Sequence, residues 1–131
     1  DNAAFIIIRM GDRKEEGLKR PSYTLCVIHG AGGGIYTGAS VNRNERFGAY
    51  IDNLDVLIVG HAHKIAQTKP AKLFIDARNE KISIKPFNLV QATAWTQYGG
   101  YALRQQLLPS SYGLQEIVLR GNKKSVKVAL E

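Results

Sequence analysis

The chain has 131 residues, 44% of them hydrophobic, and 18 Lys and Arg against 11 Asp and Glu give a formal net charge of +7. A chain of this size supports one core and no second domain, so residues 1–131 are expected to form a single domain. No stretch reaches the roughly 18 apolar residues of a membrane-spanning helix, and no secretory leader pattern opens the chain. The expectation is therefore a cytoplasmic protein with no membrane partner, and the single cysteine, Cys26, excludes an internal disulfide.

In chain order, β-branched and aromatic runs predict strands over 4–9, 23–28, 55–59, 72–76, 81–85, 87–91, 114–120 and 124–129. One helix is predicted over 43–53, where Phe47, Tyr50, Ile51 and Leu54 recur at helical spacing and Asn42-x-x-Glu45 resembles a capping box. Strand, helix and strand from 23 to 59 should form one right-handed crossover with parallel strands. Beyond Lys64 the short polar joins at Ala77-Arg78-Asn79-Glu80 and Gly121-Asn122-Lys123-Lys124 predict antiparallel hairpins. Fold class is accordingly α/β, with a mixed sheet and antiparallel carboxyl-terminal hairpins. The start runs at once from Asp1-Asn2-Ala3-Ala4 into Phe5-Ile6-Ile7-Ile8, as expected of a chain cut within a larger core.

The chemistry gathers where the core strands end. Asp55-Val56-Leu57-Ile58-Val59 reads as a strand buried on both faces, and Gly60-His61-Ala62-His63 follows it directly. Tyr23-Thr24-Leu25-Cys26-Val27-Ile28 is followed by His29-Gly30-Ala31-Gly32-Gly33-Gly34. All three histidines of the chain thus lie just past a predicted core strand. In open α/β sheets ligands bind at that carboxyl edge, and imidazole is a general nitrogen ligand for Zn, Mn, Fe and Ni. A lone histidine is more often a surface or hydrogen-bonded residue, but the shared placement of all three argues for a common metal or phosphate site. Gly60 is expected to let the chain turn tightly there. Cys26, inside an apolar strand, reads as a small buried hydrophobe.

The segment from Tyr23 to Lys64 resembles the calcineurin-like metallophosphoesterases, which carry His-Gly after one strand and Gly-His-x-His after the next; here these are His29-Gly30 and Gly60-His61-Ala62-His63. Ala31-Gly32-Gly33-Gly34-Ile35-Tyr36-Thr37-Gly38 and the stretch from Thr93 to Pro109 are similar to the phage and Firmicute-type members. The resemblance implies a β-sandwich flanked by helices. It also implies two divalent metal ions (Mn, Fe, Zn or Ni) that clamp a phosphoryl group and hold an attacking hydroxide in line. By that resemblance His29 and His61 would bind one metal and His63 the other, and Gly30, Gly32 and Gly33 would let the backbone approach substrate phosphate.

The family's upstream motifs, Asp-x-His, Gly-Asp and Gly-Asn-His-Glu/Asp, have no counterpart here. Gly11-Asp12 lies too close to the His-Gly strand to serve and reads as part of a charged turn; Gly121-Asn122-Lys123 lacks the histidine. The chain therefore looks like the carboxyl-terminal half of such a phosphoesterase: active as part of the intact parent, inactive alone, and with no catalytic residue of its own. Expected partners are phosphate esters, with nucleotides and nucleic acids favoured by the basic charge. Uncovered strands point to a homo-oligomer of the fragment. The alternatives are a basic nucleic-acid-binding module and a non-catalytic scaffold on the same fold.

Overall fold

Val56-Leu57-Ile58-Val59 contains no polar residue, and in the computed structural model it is the middle strand of a five-stranded sheet. The structure describes residues 3–11, 20–30, 37–61, 64–92 and 113–130. In chain order the elements are β1 (Ala3–Arg9), β2 (Ser22–Ile28), α1 (Thr37–Ala49), β3 (Val56–Val59), β4 (Ala66–Thr68), β5 (Ala71–Asp76), β6 (Lys81–Pro86), β7 (Asn88–Gln91), β8 (Gln115–Leu119) and β9 (Val126–Leu130). The central sheet runs β1-β2-β3-β7-β4. Within it β2, β3 and β7 are parallel, while β1 and β4 pair antiparallel at the two edges. The pairs β5-β6 and β8-β9 are antiparallel hairpins. The described fold is mixed α/β, mostly strand, with one helix.

Side-chain alternation divides the core between the two faces of this sheet. Cys26, Leu57, Val59 and Leu89 bury one face, joined by Leu54 and Phe87, and Val41, Phe47 and Ile51 pack against them. Tyr23, Leu25, Val56 and Val90 bury the other, under Ile117, Leu119, Val126 and Val128 of the β8-β9 hairpin. Strand β3 is thus covered on both sides, as its unbroken apolar run predicts. Cys26 is fully buried, and burial pushes its thiol pKa up, in keeping with an inert packing role.

A polar clasp holds the hairpin to the sheet. The buried Tyr23 hydroxyl donates to the Arg120 carbonyl at 2.6 Å and accepts from the Ser125 amide at 3.0 Å. Beside it, Asp55 accepts from the Thr24 amide at 2.8 Å and pairs with Lys124 at 3.0 Å.

The helix departs from expectation. It spans Thr37–Ala49, so Asn42 and Glu45 lie inside it and the predicted capping box is not its start. Its sheet-facing stripe is Ser40, Val41, Asn44, Phe47, Gly48 and Ile51, the last just beyond the helix. Small and polar residues occupy half of these positions, so a search for apolar periodicity misses the first two turns. Gly48 is needed for closeness: a Cβ there would overlap the Phe87 ring. The last turn tightens through Tyr50 N–H to Phe47 O and Ile51 N–H to Gly48 O, each 3.1 Å, and the left-handed Asn53 (φ 59°) ends it. Tyr50, expected on the core face, is 81% exposed.

Two apolar surfaces remain uncovered among the described residues. Phe5 and Ile7 on edge strand β1 are 69% and 65% exposed. On the β5-β6 hairpin, the register pairs Leu73 with Ile84 and Ile75 with Ile82, which sets four exposed aliphatic side chains on one face.

Candidate metal centre

Adjacent parallel strands end at the same edge of a sheet, so their following loops start side by side. The register pairs Ile28 with Val59, and the Gly60 amide donates to the Ile28 carbonyl at 3.0 Å. His29 and Gly60 therefore leave the sheet together, with His61 one residue further on. The His29 and His61 rings lie 4.5 Å apart between centroids, tilted by 41°, and both residues are exposed. The parallel β2-α1-β3 unit expected from the sequence is what brings them together.

The backbone here is more particular than the motif suggests. Gly60, expected to make the tight turn, has no left-handed φ, and a Cβ on it would meet only the His29 carbonyl oxygen at 3.5 Å. The left-handed residue is His61 itself, at φ 60°. That region costs an ordinary L-residue roughly 1–2 kcal/mol, and such residues collect at functional sites. Gly30 is constrained twice: its φ is +83°, and a Cβ would come 2.6 Å from Val59 Cγ1 and 3.0 Å from the Gly60 carbonyl oxygen. Conformation and close packing of the two loops account for this glycine without a substrate. His63, Gly32 and Gly33 lie outside the described residues, as do the Asp12 turn and the stretch from Thr93 to Pro109.

Beneath the edge sits a polar cluster that the sequence reading missed. Gln91, at the end of β7, is fully buried and on the α1 face of the sheet. Its Oε1 accepts from Asn44 Nδ2 at 2.7 Å, and its Nε2 donates to Ser40 Oγ at 3.3 Å and to the Lys64 carbonyl at 3.2 Å. One buried amide thereby ties the helix, the sheet edge and the far end of the His61–Lys64 loop. The only available signal was a glutamine closing the apolar run Leu89-Val90-Gln91. A buried amide must be hydrogen-bonded on both atoms to be tolerated, which makes it an effective positioner.

As a donor set, two neighbouring imidazoles at an exposed edge suit a borderline divalent ion. Among the described residues no carboxylate or thiol joins them to make a group of three. No protein-family model, curated protein or solved structure matches this chain, and the site stands on its own geometry.

Proposed function

We propose that this chain is the carboxyl-terminal portion of a metal-dependent phosphoesterase of the calcineurin-like type. It would act on phosphomonoesters or phosphodiesters through two divalent ions, Mn, Fe, Zn or Ni. The observation that carries this reading is the 4.5 Å approach of His29 and His61 at the carboxyl edge of two parallel strands. Support also comes from the face-to-face packing of the central sheet and the β8-β9 hairpin with α1 outside, an arrangement compatible with a two-sheet sandwich.

In this proposal His29 and His61 hold a metal through ring nitrogens, and His63 holds the second. When bound, the metals supply charge neutralisation of the phosphoryl oxygens and a nucleophilic oxygen at neutral pH. The chain's own contribution is orientation. The left-handed His61 presents its ring toward His29, the Gly30 turn keeps the two loops in contact, and Gln91 anchors the loop beyond His63 through Lys64. The carboxylates of the two-metal site would come from the upstream part of the intact protein, so the chain by itself is expected to bind metal and not to turn over.

Calorimetric titration of Zn²⁺ or Mn²⁺ into the chain tests the site. Saturable uptake is expected, and it should be lost in His29→Ala and in His61→Gly, a substitution compatible with the left-handed backbone. Uptake unchanged in both variants would overturn the assignment. In the intact protein, Mn²⁺-dependent hydrolysis of a nitrophenyl phosphodiester should disappear in His61→Ala, and wild-type turnover there would count decisively against it.

A further inference from the structure

The opposite edge of the sheet, separated from His29 and His61 by the length of strand β3, carries a second concave site. A cavity of about 490 Å³ opens where the chain enters β3 and β7, within the range typical of small-molecule sites. Lys69, Lys72, Lys85 and Lys124 border it, from three separate stretches of the sequence. Its apolar wall comes from Ile51, Leu54, Ile84 and Phe87.

The charges are unevenly spent. Lys124 is paired with Asp55, which also lines the cavity, and Lys72 is paired with Asp52 at 2.9 Å. Lys85 has its ammonium 3.8 Å from the centre of the Phe74 ring and attracts the Asp76 carboxylate electrostatically without forming an ion pair with it. Lys72 and Lys85 are directly opposite in the β5-β6 register. Like charges so placed are unfavourable, and a bound anion would offset them. Lys69 is exposed and shows no partner among the described residues.

Lys69 and Asn88 also line an adjoining cavity of about 200 Å³, together with Gln67 and Thr68. Gln67 Nε2 and Thr68 Oγ1 are both buried and have no hydrogen-bond partner among the described residues. Consecutive β4 residues project to opposite faces, so it is Gln67, on the Val90 and Val128 side, whose unsatisfied amide donor faces this cavity and seeks an acceptor, since buried polar groups are almost always hydrogen-bonded.

We propose that this edge binds a small organic phosphate, with the phosphoryl group on Lys69 and Lys85 and an apolar or planar body against Ile51, Leu54 and Phe87. A nucleoside monophosphate has the required chemistry: an anionic end for the lysines and a flat end for the wall. The site is independent of the histidine centre in position and in chemistry, and its occupancy needs no metal.

The test is titration of AMP, and separately of inorganic phosphate, followed by ¹H–¹⁵N chemical shifts in the presence of a chelator. AMP should saturate with Kd at or below about 1 mM, shift the Lys69 and Asn88 amides, and bind tighter than inorganic phosphate. Lys69→Ala combined with Lys85→Ala should weaken AMP by about tenfold or more, while His29→Ala should leave it unchanged. Both lysines are on the surface, and an unchanged melting temperature would show that the double variant is folded. Absence of saturation, or equal affinity in the double variant, overturns the proposal. A single-stranded oligonucleotide that binds far more tightly than AMP, with a multi-charge salt slope, overturns it in favour of a nucleic-acid surface.

Discussion

Replacing Gly30 by alanine probes whether the histidine edge is held by packing between the two histidine loops. The residue sits at φ +83°, and its new Cβ would lie 2.6 Å from Val59 Cγ1 and 3.0 Å from the Gly60 carbonyl oxygen. The left-handed conformation costs an alanine roughly 1–2 kcal/mol, and overpacking typically adds about 1–3 kcal/mol. Val59 lies in the middle of the sheet and is 1% exposed, so its side chain has little room to yield. A loss of about 2–5 kcal/mol follows, a large part of the roughly 5–15 kcal/mol of a typical domain. With a mid-range urea slope of about 2 kcal/mol/M, the unfolding midpoint should fall by roughly 1–2.5 M. Gly60→Ala is the matched control: it has ordinary φ and nothing nearer than 3.5 Å, so a change within about 0.5 kcal/mol is expected. If Gly30→Ala unfolds at the same urea concentration as Gly60→Ala, the two loops are not packed as described and the reasoning fails.

Tyr23→Phe should destabilise by about 1–3 kcal/mol, because it strands the Ser125 amide that the hydroxyl satisfies; a denaturation midpoint equal to wild type would show that the β8-β9 clasp is dispensable. Donation from the Asn79 side chain, then from its backbone amide, holds the Asp76 carboxyl below the usual carboxylate range. The turn is therefore most stable above the ordinary carboxylate pKa and loosens as pH falls through the depressed value, and Asn79→Ala should raise the Asp76 pKa in an NMR titration, where an unmoved value would contradict the cause. Self-association is expected through the exposed face of Leu73, Ile75, Ile82 and Ile84, since apolar patches beyond a few hundred Å² are uncommon on monomers. Sedimentation should show species larger than 14.5 kDa that Leu73→Glu disperses, and a wild-type monomer at all concentrations would refute it.

Much of the architecture is local and was legible in the residues. Every predicted strand is present, because each is a run of β-branched or aromatic residues bounded by a polar turn or a glycine. The three-residue β4 was not foreseen, since Ala66-Gln67-Thr68 has no alternation to read and exists as a strand only through pairing with β7. The histidine placement was visible for the same local reason: one apolar run stops at His29 and the other at Gly60 just before His61, and strands of one parallel unit end at one edge.

What only the tertiary structure decided involves residues far apart in the chain. Helix α1 begins before its apolar residues do, because Ser40, Asn44 and Gly48 face the sheet for reasons of fit and of bonding to Gln91, which hydropathy does not encode. The left-handed residue at the histidine edge is His61 and not Gly60, a choice made by where the loop must go after β3. The lysines looked dispersed along the chain, yet the β5-β6 hairpin, the β8-β9 turn and the start of β3 bring Lys72, Lys85 and Lys124 around one cavity. Sequence determines local pattern through side-chain period, while charge clusters and buried polar contacts are sums over distant segments, and only the closed sheet sets their terms.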